Sequence, residues 1–346
     1  MEGGAVEADG VALYSQMLKS RRFEEAVTAL WREGYISAEM HLNIGEEGII
    51  AGVVDHLTDG DAMALDHRGT APLVMRGVDL VLLLKELMGE EDGLCAGMGG
   101  HMHLFAPELL AASSGIVGAS GPAACGFALA NQHLRPGKVA IAFFGEAAMN
   151  QGMLMESINL AAAWSLPVVF VCKDNGMGIT TPSKKVTGGD LCTRAEGLGA
   201  HAVSVDGADV GAVWHAAEHA VERARKGRGP AFLHATCRRP EGHFLGDPLL
   251  RIVRKPVDEL KSRVGPLVRA AASSGGASLG RRAASLGSIM DMLGRAGKMR
   301  KLGRHDPLER QAKHLSSGER DGVATAVEQE VEAAIRTATH YMEARP

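Results

Sequence analysis

The sequence predicts an α/β protein in which a mostly parallel sheet carries helices on both faces and is followed by a helical C-terminal tail. Two short, unbroken apolar runs, at residues 139–144 and 168–172, are typical of strands that are buried on both faces. Between them, apolar residues from Met153 onward recur at helical spacing until Pro167 ends the pattern. A strand, a helix and a second strand in this order form a right-handed unit of a parallel sheet.

The remaining elements are predicted from the same two patterns. Helical spacing predicts helices over residues 8–33, 123–132 and 210–226, and short apolar runs predict strands over residues 61–66, 203–206 and 231–235. A capping box formed by Ser316 and Glu319 opens a final helix. Residues 265–303 are rich in Ala, Gly, Ser and Arg, with weak periodicity between Leu279 and Leu293. We therefore predict one domain over residues 1–264 and a helical extension over residues 265–346 that packs on it.

Length and composition exclude several classes of protein. The chain has 346 residues, a formal net charge of −4 and no long basic run, which argues against a nucleic-acid partner. No apolar run reaches the roughly 20 residues of a membrane span, and residues 1–10 lack the basic start and apolar core of a signal peptide. The five cysteines are scattered, so we expect no disulfides, no structural zinc and a cytoplasmic location.

Polar side chains follow both strands of the central unit, where ligands of parallel sheets bind. They are Glu146 and Asn150 after the first strand and Asp174 and Asn175 after the second. The small residues Gly145, Ala147 and Ala148 would let a large anion approach the backbone N–H groups at the start of the helix. Carboxylate and amide oxygens suit Mg²⁺ or Ca²⁺ better than zinc. These residues together predict a cradle for a metal and a diphosphate.

The same residues resemble a known family. Residues 145–152 (GEAAMNQG), followed by residues 173–175 (KDN), resemble the thiamine diphosphate motif, which begins Gly-Asp-Gly and ends Asn-Asn. The surrounding sequence resembles the alpha subunit of 2-oxo acid dehydrogenases of the pyruvate, branched-chain and acetoin type. The resemblance implies a thiamine diphosphate-binding fold. Two residues depart from it, since Glu146 and Ala147 stand where the family usually has Asp and Gly.

The resemblance also implies roles for individual residues. Mg²⁺ would be held by Glu146, Asn175 and the backbone carbonyl of Met177. Cofactor contacts are implied at His67, Arg68, Gly115, Val117, Gly145, Glu146, Ala147, Ala148, Asn175, Met177 and His243. His243, together with His41 and His103, would steer protons or hold the substrate oxygen.

Without the resemblance, several of these residues have plainer interpretations. Arg68 could form a surface salt bridge, His41 could be a surface histidine, and the loop around His243 could be structural. His101 and His103 would share one face of an extended segment, but a third zinc ligand is missing. His215 and His219 formally match an inverted zinc-protease motif, yet they lie opposite the apolar stripe of their helix and should face water.

The function implied by the resemblance is the alpha subunit of an oxidoreductase that acts on a 2-oxo acid or on acetoin and passes the acyl group to lipoamide. A beta subunit would supply the carboxylate that activates the cofactor, in an α₂β₂ assembly, and a lipoyl-bearing acyltransferase would be a further partner. One alternative is a nicotinamide-dependent oxidoreductase, because Gly176 and Gly178 follow a strand, although Thr181 replaces the third glycine of the fingerprint. A second alternative is a non-catalytic regulatory subunit with a degenerate site.

Overall fold

One seven-stranded sheet forms the centre of the molecule. The computed structural model describes residues 8–246 and 302–340, together with a few isolated positions between 278 and 294. The strands are β1 (Ala62–Leu65), β2 (Phe105–Ala106), β3 (Ala111–Ser113), β4 (Ala140–Gly145), β5 (Val168–Asp174), β6 (Met177–Gly178), β7 (Thr181–Pro182), β8 (His201–Asp206) and β9 (Ala231–Thr236). The main sheet has the order β2-β3-β1-β4-β5-β9-β8, and every pair is parallel except β2 with β3. The predicted mostly parallel sheet is confirmed.

Helices connect the parallel strands. They are α1 (Gly10–Glu33), α2 (Glu47–Val54), α3 (Thr70–Met75), α4 (Leu80–Met88), α5 (Ser120–Leu134), α6 (Gly152–Ala163), α7 (Leu191–Gly197), α8 (Val210–Arg225), α9 (Pro307–Ala312) and α10 (Ser317–Thr339). Side-chain oxygens cap several of them, since Asp9 accepts from the first turn of α1 and Asp209 accepts from that of α8. The predicted capping box of Ser316 and Glu319 opens α10.

The core has two layers because successive residues of a strand point to opposite faces of the sheet. In β4, Ile141 and Phe143 pack with apolar residues of α1, α2, α4, α8 and α10. Ala142 and Phe144 face the other way, toward α5, α6 and α7. Both layers are fully buried along β4 and β5. The prediction of helices on both faces is therefore confirmed.

The central β4-α6-β5 unit lies where the sequence places it, with one difference. Strand β5 extends two residues beyond the predicted end, to Asp174, because Lys173 is buried against carboxylates. The periodicity between Leu279 and Leu293 and the boundary at residues 264 and 265 lie outside the described residues. Helix α10 packs on α1 and α4, whereas the division into two domains stays a prediction. Among the described residues, no helix combines the length and the hydropathy that crossing a bilayer requires.

The topology brings four strand ends to one edge of the sheet. Strands β1, β4, β5 and β9 are neighbours and run parallel, so their carboxyl ends lie side by side. Asp66, Glu146, Asn175 and Arg239 follow these four strands in turn. Ligands of open α/β sheets bind at this edge.

Candidate active site

A cavity of about 370 Å³ opens at this edge of the sheet. Most of the residues that the sequence assigns to the site line it: His41, His67, Gly115, Val117, Gly145, Glu146, Ala147, Ala148, Met177 and His243. The turns after β1, β4 and β9 contribute to the wall, together with the β6–β7 hairpin. The fold thus gathers into one place residues that are far apart in the sequence.

Three of the assigned residues lie outside the cavity lining. Arg68 is buried behind the wall, where its Nη1 donates to the Leu42 carbonyl at 2.6 Å and its Nη2 to the His243 carbonyl at 2.7 Å. His103 is exposed, and its imidazole lies beside Gly115. Asn175 accepts a hydrogen bond from the backbone N–H of Met177 at 3.2 Å, so its side chain closes the turn after β5.

Two further oxygen ligands suggested by the sequence are engaged elsewhere. Asn150 donates to the Thr187 hydroxyl at 2.9 Å and accepts from Arg194 at 3.2 Å. Asp174 pairs with His234 at 2.8 Å and accepts from the N–H of Gly176 at 2.7 Å. Of these four residues Glu146 alone lines the cavity, and Asn175 lies in the turn that leads to Met177, which also lines it.

Glu146 projects into the cavity from a buried position. It is 3% exposed, and its Oε1 accepts a hydrogen bond from the Ser183 hydroxyl at 2.5 Å. Burial raises the pKa of Glu146, although the bond from Ser183 acts in the opposite direction. A cation in the cavity would stabilise the charged carboxylate. Ser183 follows the β6–β7 hairpin, so this bond ties the hairpin to the end of β4.

Three histidines that line the cavity, His41, His67 and His243, form a cluster. The ring centroid of His41 lies 4.7 Å from that of His67 and 4.8 Å from that of His243. His41 is also held from behind, because its Nδ1 lies 2.7 Å from Nε2 of the buried His101. The fold thus brings together three histidines that the sequence assigns to the site.

Two histidines of the cluster, His41 and His67, are uncharged at neutral pH. Burial lowers the pKa of His41 to about 2, with a further contribution from Arg68. Burial also lowers the pKa of His67 to about 2, assisted by Arg68 and Lys173. The guanidinium of Arg68 can only donate, and its Nη2 lies 3.4 Å from Nδ1 of His243, so that ring carries its proton on Nε2. Neutral imidazoles can accept or donate hydrogen bonds at this wall.

The cluster is a poor fit for zinc despite its composition. One nitrogen of each ring lies within 4.8 Å of the others, whereas nitrogens bound tetrahedrally at 2.0–2.1 Å lie about 3.3 Å apart. The Arg68 guanidinium beside His243 also repels a divalent cation. The expectation that His101 and His103 share a face was wrong, because the segment turns and leaves His101 buried and His103 exposed. His215 and His219 are exposed on α8, as predicted.

Sequence reasoning missed a buried charge network beneath the cavity, formed by Glu46, Asp66, Lys173 and Arg239. The Lys173 Nζ lies 2.9 Å from Glu46 and 3.2 Å from Asp66, and Arg239 lies 3.5 Å from Glu46. Asp66 and Arg239 also line the cavity. The position of Asp66 directly after β1, and of Arg239 three residues after β9, was the signal that could have identified them.

A second buried carboxylate shapes the glycine-rich loop (residues 93–100) that leads to His101. Glu86 of α4 is 0% exposed and accepts four backbone N–H groups of this loop. Its Oε2 accepts from Cys95 at 2.6 Å and from Gly97 at 2.9 Å, while its Oε1 accepts from Gly99 at 2.8 Å and Gly100 at 2.9 Å. One side chain therefore holds the segment that carries the partner of His41.

The amino-acid sequence is similar to those of known dehydrogenase subunits. A family model described as dehydrogenase E1 component matches residues 15–272. The chain is 41% identical over 243 residues to the alpha subunit of acetoin:2,6-dichlorophenolindophenol oxidoreductase from Bacillus subtilis, covering 70% of this chain and 73% of that protein. The corresponding subunit from Cupriavidus necator is 39% identical over 254 residues, 73% of this chain and 76% of its own.

A pyruvate dehydrogenase subunit is also similar. The E1 component subunit alpha from Rhizobium meliloti is 36% identical over 262 residues, which cover 75% of each chain. The family match extends across the strands and turns that form the cavity. The chain therefore belongs to the dehydrogenase E1 component family, whose members depend on thiamine diphosphate and whose alpha subunits work with a beta subunit.

Proposed function

We propose that this chain is the alpha subunit of a dehydrogenase that acts on acetoin or a pyruvate-like 2-oxo acid and passes the acyl group to lipoamide. In this proposal it binds the Mg²⁺-diphosphate end of thiamine diphosphate in the cavity at the sheet edge. The observation that supports it most directly is the meeting of Glu146, Met177 and the histidine cluster around one cavity of about 370 Å³.

The chemistry of the cavity wall fits a large anion. The Nε2 of His67 is buried and has no hydrogen-bond partner among the described residues, so it is available to a ligand. Arg68 and Lys173 help to lower the pKa of His67, which indicates a positive potential at this wall. A Cβ added at Gly145 would meet nothing closer than the Lys173 carbonyl at 3.9 Å, so the turn leaves open space. We propose that Arg239 and His67 bind the diphosphate and that Arg68 contributes positive charge from behind the wall.

The metal would be held by Glu146, Asn175 and the carbonyl of Met177. Mg²⁺ prefers hard oxygen ligands at 2.0–2.1 Å, and Glu146 supplies one from a buried position held by Ser183. The departures from the family motif fit the local packing. A Cβ at Gly178 would lie 3.2 Å from the methyl group of Ala147, so glycine on the hairpin leaves room for alanine after Glu146.

The bound cofactor would supply the nucleophile and the electron sink, and the chain's own residues would bind, orient and exchange protons. The Nε2–H of His243 can donate to a carbonyl or alkoxide oxygen of the substrate. His41 and His67 stay neutral, so each ring offers one N–H donor and one acceptor nitrogen to a bound ligand. His103, exposed beside Gly115, would act from the mouth of the cavity.

Exposed apolar residues at the mouth support a partner chain. Ile116, Val117 and Ile179 line the cavity, yet they are 62%, 51% and 59% exposed. Apolar surface beside a ligand site is typical of a protein interface. We propose that the beta subunit covers these residues in an α₂β₂ assembly and supplies the activating carboxylate. A lipoyl-bearing acyltransferase would then receive the acyl group. We also propose that the assembly works in the cytoplasm.

Acetoin is the preferred substrate in this proposal. The acetoin relatives are more similar to this chain than the pyruvate dehydrogenase subunit from Rhizobium meliloti. Glu39, an exposed carboxylate in the cavity lining, would repel an anionic 2-oxo acid more than neutral acetoin. Higher kcat/KM for pyruvate than for acetoin in the assembled enzyme would overturn this preference.

The nicotinamide alternative has little structural support. The dinucleotide fingerprint needs a glycine turn that leads from a strand into a helix. Gly176 and Gly178 instead lead into the β6–β7 hairpin. The remaining alternative is a non-catalytic regulatory subunit, and measuring both cofactor binding and turnover distinguishes it from the proposed enzyme.

The deciding experiment is calorimetric titration of the chain co-purified with its beta subunit. We expect thiamine diphosphate to bind only when Mg²⁺ is present, and the loaded enzyme to oxidise acetoin with a dye or lipoamide acceptor. Binding without turnover would favour the regulatory alternative, and no Mg²⁺-dependent binding would refute the proposal.

A further inference from the structure

We propose that Lys173 is a positioning residue that fastens the turn after β1 to the end of β5 and thereby sets the two halves of the cofactor cradle relative to each other. The inference rests on the proposed function, because the halves are the residues proposed for the diphosphate and those proposed for the metal. It concerns a side chain outside the cavity lining, to which the sequence assigns no role.

The geometry places one ammonium group between three elements. Lys173 is the penultimate residue of β5, and its side chain is 1% exposed. Its Nζ lies 3.2 Å from Oδ2 of Asp66, which follows β1, and 2.9 Å from Oε2 of Glu46, which precedes α2. Strand β4 lies between β1 and β5, so this contact spans the strand that carries Glu146.

Both strand ends that Lys173 joins, those of β1 and β5, lead into residues of the proposed site. Asp66 also accepts the backbone N–H of Arg68 at 3.1 Å, which closes the turn that carries His67. In the other direction along the chain, Asn175 lies two residues beyond Lys173. Movement at either strand end would therefore stretch the ion pairs of Lys173.

Stability alone is a weak reason for a lysine at this position. The side chain of Lys173 is buried, and its ammonium group pairs with two carboxylates, those of Asp66 and Glu46. Buried ion pairs can often be replaced by apolar residues of similar size at no cost in stability. An apolar side chain could fill the space, but it could not attach to Asp66 and Glu46 together.

The first test uses hydrogen exchange on the full chain without cofactor. We compare the wild type with Lys173→Met, with the charge-compensated double variant Lys173→Met/Glu46→Gln, and with Lys226→Met, an exposed control on the outer end of α8. In both Lys173 variants we expect amides at residues 66–70 and 174–178 to exchange at least tenfold faster. Exchange in α8 should not change, and the control should match the wild type throughout.

The second test measures the affinity of the co-purified enzyme for thiamine diphosphate with Mg²⁺ by calorimetry. We expect an affinity at least tenfold weaker in both Lys173 variants, including the double variant, in which thermal stability recovers. Recovery of wild-type affinity together with stability would overturn the inference, because Lys173 would then only neutralise buried carboxylates. If the wild type itself fails to bind, the proposed function fails, while the exchange data still decide whether Lys173 couples the two segments.

Discussion

The four hydrogen bonds accepted by Glu86 make a quantitative prediction for Glu86→Gln. Glutamine keeps one oxygen but replaces the other with an amide that can only donate, so two loop N–H groups lose their acceptor. Each buried donor left without a partner costs about 1–3 kcal/mol, which gives a loss of about 2–6 kcal/mol in the free energy of unfolding. In a chain of this size, that loss corresponds to a decrease in Tm on the order of 10 °C.

The assay is thermal unfolding combined with hydrogen exchange of the glycine-rich loop. We expect the loop amides of Glu86→Gln to lose protection and the Tm to fall, since the charged acceptor organises the whole loop. Glu91→Gln, at an exposed position near the same loop, is the matched control and should leave both measurements unchanged. A Tm within about 1 °C of the wild type and intact loop protection in Glu86→Gln would refute the reasoning.

Three further predictions concern individual side chains. Glu146→Gln should weaken Mg²⁺-dependent thiamine diphosphate binding roughly 100-fold, because a charged ligand is lost, and an unchanged dissociation constant in calorimetry would contradict the proposed metal site. Gly45→Ala should cost roughly 3–5 kcal/mol in urea unfolding, since φ is +97° and the new Cβ would lie 1.8 Å from the Arg238 carbonyl, so wild-type stability would disprove the packing argument. Burial raises the pKa of Glu24 from 4.5 to about 8, so its contribution to stability is present below pH 4.5 and is lost as the pH rises through about 8. Between pH 5 and 9, wild-type Tm should therefore fall more than that of Glu24→Gln, and parallel curves would count against this assignment.

The central unit could be predicted from the sequence because buried parallel strands appear as short apolar runs. The order of the strands could not, since β1 and β9 reach their positions beside β4 and β5 through contacts between distant segments. The predicted end of β5 at Cys172 was early for the same reason. A lysine in a sequence usually predicts a position exposed to solvent. Only the folded sheet brings the carboxylates of Asp66 and Glu46 to Lys173 and allows it to be buried.

Some features of the candidate site could be predicted from the sequence and others could not. Glu146 could be assigned because it stands directly after a strand end, where ligands bind, whereas Met177 was assigned only from the family resemblance. The engagement of Asn150 by Thr187 could not be anticipated, because the loop that carries Thr187 folds back from outside the motif. The two histidines at 101 and 103 were assigned to one face on the assumption of an extended backbone, whereas the bonds to Glu86 turn the loop just before them.

The packing of α10 on α1 has a consequence for biosynthesis. Lys19 of α1 bonds Glu330 of α10, a contact that joins positions 311 residues apart, and Val327 and Val331 lie buried in the same core layer as α1. At a translation rate of about 5–20 residues per second, α10 is synthesised roughly 15–60 s after α1 and can pack on it only then. The part of α1 that α10 covers therefore stays exposed on the nascent chain for most of its synthesis, while α2 and α3 can pack on the rest of the helix much earlier.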